Sequence, residues 1–436
     1  MSFRPDFSLI ARFGAVALAG AGLSACNDAH NTSNARAWRP IPSETVALMN
    51  AKGSDSHQPI VIRAYKKEAE LEVWKMKKDG QYVHLKTFPM CRWSGQLGPK
   101  VREGDRQVPE GFYAITPGQM NPNSNYYLSF NVGYPNALDR ALGHSGGMIM
   151  VHGACSSAGC FSMTDNQIAE IYAIAREAFG GGQRAIQMQS FPFRMTAENL
   201  AKHRLDPNMP FWRQLKKGSD HFEVTKREPS VGACGRRYVF DAQPANGGSL
   251  DASGACPTLT EDAEVKNLVA DKESADNARI AELVAKGTKP VRIMYADGGQ
   301  HPDFAHVDEV SRPEALAKGP VEVALDDKGK PKKDAPVAVA AKASAPARTE
   351  TVAARSDEPQ TTGTTAFASA GAVTGDSIGR WLGLNKADTT PAPAKSGPPE
   401  TILVTDPDKA QKTAKPKAAS PVKPQASLAW PTPQQN

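Results

Sequence analysis

The chain has 436 residues, 40% hydrophobic and 22% charged, with 36 Gly, 34 Pro and a net charge of +6. No run of 18 or more apolar residues exists, which excludes a polytopic membrane protein, and collagen and coiled-coil periods are absent. Residues 331–436 hold 22 Ala, 14 Pro and three aromatics (Phe367, Trp381, Trp430). Such a segment cannot bury enough apolar surface to offset its ordering entropy, so the foldable part lies before it. The positive charge is modest and lacks the aromatic–basic interleaving of single-strand platforms, so no nucleic acid is expected as a partner.

In chain order, Arg4 and Arg12 flank the start, and Phe13 to Leu23 is apolar but too short to span a bilayer. It ends in Leu23-Ser24-Ala25-Cys26. Small residues abutting a cysteine resemble the lipobox of bacterial lipoproteins. The resemblance implies a signal peptide over 1–25, lipid attachment at Cys26 and anchorage to a membrane in the periplasm or cell envelope. The alternative is an ordinary secretory signal in which Cys26 is incidental. Both readings export the protein. Residues 26–54 read as a polar linker.

From 55 the pattern is α+β and rich in strands. Pro59 to Tyr65, Leu71 to Trp74 and Tyr82 to Phe88 read as strands, with a hairpin turn at Asp79-Gly80. Phe112 to Ile115, Tyr126 to Val132 and Met148 to His152 are further strands. Thr164-Asp165-Asn166-Gln167 fits a capping box, and Ile168, Ile171, Tyr172 and Ala175 share one face of the helix it opens. A strand over 185–189, a helix from Thr196, and a helix and strand within 208–227 follow. Residues 228–310 form a mixed extension. There a Cys234–Cys256 disulfide would close a short loop, and 260–287 is helical by propensity. Residues 311–436 read as a low-complexity disordered tail; its apolar island, Ser377 to Leu384, is the candidate segment for a protein partner.

The chemistry concentrates in Met148-Ile149-Met150-Val151-His152-Gly153-Ala154-Cys155-Ser156-Ser157-Ala158-Gly159-Cys160. An apolar strand ends in His-Gly, small residues follow, and Cys160 comes immediately before the capped helix. A nucleophilic cysteine needs a group to take its proton, and a strand–loop–helix return brings His152 toward Cys160. Consecutive N–H groups around Gly159 and Cys160 are candidates to hold an oxyanion. The sequence leaves other pairings open. Cys155 and Cys160 form a short-loop disulfide, or Cys91 pairs with Cys155, or Cys91 and Cys155 are small buried hydrophobes. A zinc site is disfavoured because no second ligand pair has matching spacing, and no metal or other cofactor is expected.

The pattern His-Gly…Ser-x-Gly-Cys-x-x-Met, with Gly104-Asp105-Arg106-Gln107-Val108-Pro109-Glu110-Gly111-Phe112-Tyr113 upstream, resembles the YkuD-type L,D-transpeptidase catalytic domain, closest to its YafK-like branch. The resemblance covers about 55–227 and implies a β-sandwich-like domain with a few capping helices. It implies Cys160 as nucleophile toward a peptidoglycan stem peptide and His152 as base, with Gly153, Ser157 and Gly159 shaping the loop. Ser162 stands where many members have Arg, so another cation is expected to meet the substrate carboxylate: Arg194, Lys100 or Arg92. His144 is a rival base or a substrate contact, and Tyr126, Tyr127 and Tyr134 are candidates to line a cleft. The acyl acceptor is open. An amine gives a cross-link or a tethered protein, and water gives an endopeptidase or amidase. A non-catalytic wall-binding lipoprotein, with Cys155 and Cys160 oxidised together, is the competing class.

Overall fold

A three-stranded meander grows from the Asp79-Gly80 turn. Strands β1 (Ile60–Tyr65), β2 (Glu70–Met76) and β3 (Tyr82–Pro89) pair antiparallel in sequence order. The computed structural model from which these elements are drawn describes residues 35–307 and 309–332, and the backbone of 338–339. The expected signal peptide, Cys26 and the Ser377–Leu384 island lie outside the described residues. The described residues belong to one compact unit, Met1–Thr351; the other unit, Val352–Asn436, lies outside them. Among the described residues no helix is long and apolar enough to cross a membrane.

Strand β9 (Ile186–Phe191) runs parallel to β1 and antiparallel to β4 (Gly111–Ile115), completing a sheet of order β3-β2-β1-β9-β4. β1 is buried along its whole length. Ile60, Ile62 and Ala64 join the main core, while Val61 packs in a smaller cluster with Tyr82 and Phe222. A central strand covered on both faces reads as a continuous apolar run, which is how the sequence appears there. The second sheet has order β5-β6-β7-β8, from β5 (Met120–Asn121), β6 (Ser129–Asn131), β7 (Met150–His152) and β8 (Phe161–Ser162). The fold is α+β, with mixed sheets and several helices.

Thr164 caps the helix Asp165–Gly180 as the sequence indicates: its side chain accepts from the Gln167 amide, and Ile168, Ile171, Tyr172 and Ala175 are buried. Other elements differ from expectation. Residues 43–51, read as linker, form a helix that buries Met49. The expected strand over 126–132 is paired only at Ser129–Asn131. The segment 209–225 is one helix, and the next strand, Val231–Cys234, starts beyond the expected bound of 227. The break expected at 227 is absent, because Tyr238, Phe240, Ile293 and Tyr295 belong to the same core as Ile62. Order also continues past 311, through the helix Pro313–Ala317 and a strand Val321–Ala324 that pairs with Val291–Met294.

One buried ion pair ties the first sheet to the motif around Val108-Pro109-Glu110. Lys66 Nζ, fully buried, donates to the Gly98 and Val108 carbonyls at 3.1 and 3.0 Å and to Glu110 Oε1 at 2.9 Å. Glu110 also accepts from the Gly98 amide at 2.7 Å and from Trp212 Nε1 at 2.8 Å. Each charge therefore has several partners, the condition under which a buried pair is tolerated. Glu110→Ala leaves the ammonium uncompensated and should destabilise the fold by about 3–5 kcal/mol, read by denaturant unfolding. A loss under about 1 kcal/mol, typical of exposed pairs, would contradict this account.

Candidate active site

Strand β7 ends at His152 and its parallel neighbour β8 begins at Phe161. Parallel strands usually need a crossover of a dozen or more residues; residues 153–160 are fewer than that. The short link takes left-handed backbone at Ala154 (φ 65°), Cys155 (φ 40°) and Gly159 (φ 123°). Gly153 has no room for a side chain: a Cβ there would lie 2.4 Å from Asp165 Oδ1 and 3.0 Å from the Tyr126 carbonyl. Asp165, in the first turn of the capped helix, accepts from the Ala154 amide at 3.0 Å. A Cys91–Cys155 disulfide fastens the other side of the loop. With Cys155 so paired, Cys160 is the free cysteine among the described residues.

The register Val151↔Phe161 and His152↔Ser162 places Cys160 level with Met150. Alternation then puts Met150, His152, Cys160 and Ser162 on one face. The Met150 amide donates to Cys160 Sγ at 3.4 Å, and the Met148 carbonyl lies 3.9 Å from the sulfur. The thiol and the imidazole make no direct hydrogen bond to each other. Burial pushes the Cys160 thiol up from its ordinary value, against smaller opposing effects of the Met150 amide and the Lys100 charge. Burial pushes His152 down, against the hydrogen bond to the Gly153 carbonyl. Both shifts favour the uncharged forms.

The 2.6 Å contact between His152 Nδ1 and the Gly153 carbonyl assigns the ring proton to Nδ1, leaving Nε2 with a free lone pair. Nε2 faces Ser162 Oγ at 3.5 Å. The Ser162 hydroxyl already donates to the Ser156 carbonyl, so toward the ring it presents an acceptor that suits a protonated Nε2. The Tyr126 ring lies against the imidazole with centroids 4.6 Å apart.

The remaining sequence candidates divide. Ser157 Oγ closes the loop: it accepts from the Gly159 and Cys160 amides at 3.4 and 3.2 Å and bonds the Cys160 carbonyl at 2.7 Å and Ser94 Oγ at 2.9 Å. The two amides expected to face an oxyanion therefore point inward at a hydroxyl, because the tight turn leaves them no other acceptor. Lys100 is buried, paired with Asp105 at 2.5 Å, and is the cation felt by Cys160. His144 is held by Asp139 at 3.3 Å. Arg194 is not at the thiol. It pairs with Glu70 and Glu72 at the wall of a separate cavity of about 490 Å³ that also includes Arg63, Tyr65 and Trp74. Arg92 is fully buried on Asp297. Tyr134 is buried, and Tyr127 accepts from Arg39. Cys234 and Cys256 are bonded to each other. Neither this cavity nor a second one of about 450 Å³ includes Cys160 or His152 in its lining. Among the described residues no cluster of His, Cys, Asp and Glu is arranged to hold a metal.

Sequence reasoning missed Asp297 and Ser311. Ser311 Oγ accepts from the Ser157 amide at 3.0 Å, and its own amide donates to the Cys155 carbonyl at 3.3 Å. Ser311 lies well over a hundred residues from the loop it touches, and Asp297 as far from its partners Arg92 and Arg106, so no local spacing signals them.

Residues 60–180 match the L,D-transpeptidase catalytic domain, YkuD. Over 181 residues the chain is 42% identical to the protein named "Putative L,D-transpeptidase YafK" of Escherichia coli strain K12, a match spanning 42% of this chain and 73% of that one. The chain belongs to the L,D-transpeptidase family. The same figures hold for the relative of that name in Escherichia coli O157:H7. Similar solved structures include the helical cell shape determining protein Pgp2 from Campylobacter jejuni, at 14% identity over 66% of this chain and 97% of that one, TM-score 0.25. Another is Bd1075 of Bdellovibrio bacteriovorus, at 15% identity over 40% and 77% of the two chains, TM-score 0.24.

Within this L,D-transpeptidase domain, cysteine chemistry separates by peptide mapping. Iodoacetamide should label Cys160 without reductant and label Cys91, Cys155, Cys234 and Cys256 only after reduction. The Cys160 labelling rate should keep climbing with pH through the ordinary thiol range, since burial raises that pKa. A plateau near neutrality would indicate a standing thiolate–imidazolium pair and contradict the electrostatics above.

Proposed function

We propose that this L,D-transpeptidase is a cysteine acyltransferase acting on peptidoglycan stem peptides in the cell envelope. The observation that carries the reading is the position of Cys160: a thiol left free by the Cys91–Cys155 bond, on the same strand-pair face as an imidazole whose Nε2 is unprotonated. The same bond disfavours the competing binder in which Cys155 and Cys160 are oxidised together.

In the proposed reaction Cys160 gives its proton to His152 Nε2 as sulfur attacks the amide carbonyl of the donor stem. The C–N bond breaks, and His152 returns the proton to the departing amine. An acceptor amine then attacks the thioester, loses its proton to His152, and the C–S bond breaks to restore the thiol. Water in place of the amine makes the same site hydrolytic. Gly159 and Cys160 amides serve the oxyanion only by exchanging Ser157 Oγ for the substrate oxygen. Attachment through a lipid on Cys26 would hold the enzyme at a membrane beside its substrate.

Muropeptide profiles of cells with and without the protein test the reading: cross-linked or trimmed species should change, and Cys160→Ala should reproduce the deletion. In vitro, His152→Ala should lower kcat by about 10²–10⁴-fold, the usual contribution of a general base. A carbapenem-type β-lactam should add its mass to the wild type and not to Cys160→Ala. Unchanged muropeptides together with an adduct that persists in Cys160→Ala would overturn the proposal.

A further inference from the structure

Three guanidinium groups meet at a single carboxylate beside the catalytic loop. Asp297 Oδ2 accepts from Arg106 at 2.7 Å, Arg92 at 3.1 Å and Arg312 at 3.2 Å. Among the described residues Asp297 is the carboxylate within ion-pair distance of each of the three, and none reaches a second. The cluster thus carries two positive charges in excess. The three cations are not equivalent. Arg92 is sealed in, its other donors spent on the Trp93 and Ser311 carbonyls. The side chains of Arg106 and Arg312 are 34% and 51% exposed. Their unmatched charge faces solvent.

The pair is coupled to the nucleophile through the backbone. Arg106 donates to the Ser157 carbonyl at 2.8 Å, and Ser157 Oγ bonds both the amide and the carbonyl of Cys160. Ser311, next to Arg312, is bonded to Ser157 and Cys155. Both arginines adopt left-handed backbone, φ 56° at Arg106 and 57° at Arg312. Residues with a side chain hold that conformation where the surroundings impose it, and such positions concentrate at ligand clamps. Asp105 does not neutralise the pair, since its carboxylate is taken by Lys100 and by the amides of Val101, Arg102 and Gln107.

We propose that Arg106 and Arg312, mounted on Asp297, form an anion subsite that receives a free carboxylate of the peptide substrate close to the amide attacked by Cys160. The inference deepens the stem-peptide reading and rests on it. Guanidinium groups suit the task because their planar donors match a carboxylate in pairs. Asp297 fixes the donors in place while cancelling only one of the three charges.

Two measurements on the full chain test it. The first compares kcat/KM for a synthetic stem tetrapeptide and its C-terminal carboxamide. The wild type should favour the acid by about tenfold or more, as expected when a built polar site loses its partner. Arg312→Gln should erase most of that preference, chiefly by raising KM for the acid, and Arg312→Lys should restore part of it. Equal turnover of acid and amide by the wild type, or an unchanged preference in Arg312→Gln, overturns the subsite. The second measurement needs no turnover. It is the ratio of iodoacetate to iodoacetamide labelling at Cys160, normalised to glutathione and read by peptide mapping. In the Arg106→Gln/Arg312→Gln double variant the ratio should fall about threefold or more as the local positive potential is removed; an unaltered ratio overturns the subsite. Failure to turn over either peptide counts against the stem-peptide function itself, and the labelling ratio then decides the anion subsite alone.

Discussion

The site depends on the return from His152 to Phe161, which joins parallel neighbours in fewer residues than such a connection normally takes. That constraint dictates the residue types along it. Gly153 must lack a side chain because Asp165 and Tyr126 crowd it, and the link takes left-handed backbone at Ala154, Cys155 and Gly159 to return within the span. A loop forced into this shape needs fasteners. They include the Cys91 disulfide, the Asp165 carboxylate, the Ser157 hydroxyl inside, and Ser311 and Arg106 outside. Together they fix the height of the thiol against β7, and hence its placement on the imidazole face.

Electrostatics follow from the same packing. The loop closes over the strand ends and desolvates both the Cys160 thiol and the His152 imidazole, which favours the neutral form of each. At the sulfur, burial outweighs the Met150 amide and the Lys100 charge, and Lys100 is itself paired with Asp105. In the proposed reaction the proton moves as the carbonyl is attacked. His152 Nε2 would take it in that proposal, with Nδ1 committed to the Gly153 carbonyl and an acceptor oxygen on Ser162 opposite.

What the sequence disclosed was local. The Asp79-Gly80 hairpin, the Thr164–Gln167 capping box and the His-Gly to Gly-Cys spacing each lie within one turn or one loop, where propensity and sterics act directly. What it left open or missed was long-range. Arg194 looked available in sequence, but Glu70 and Glu72 across the sheet claim it. Cys91 and Cys155 lie 64 residues apart, and spacing could not rank their pairing above a Cys155–Cys160 bridge. The 43–51 segment is polar enough to read as linker, and only its docking of Met49 into the core makes it a helix worth forming. Asp297 and Ser311 carry no motif, and their meaning exists only once the chain has folded back.

The fold-back makes the stretch after 227 part of the catalytic unit. Gly298 and Gly299 pass so close to Trp93 that a Cβ on Gly298 would sit 2.1 Å from the Trp93 carbonyl, and Trp93 and Gly299 form a β-bridge. That approach sets Asp297 down between Arg92 and Arg106. Without it, a wholly buried guanidinium would lose its counter-charge, the arrangement that burial tolerates least. The same stretch supplies Tyr238, Phe240, Ile293 and Tyr295 to the core and Ser311 to the loop. A domain cut to the recognisable motifs would keep Cys160 and His152 but lose the hub holding Arg106 against Ser157. The motifs carry the thiol and the imidazole, and the extension fixes the charge and shape of the ground around them.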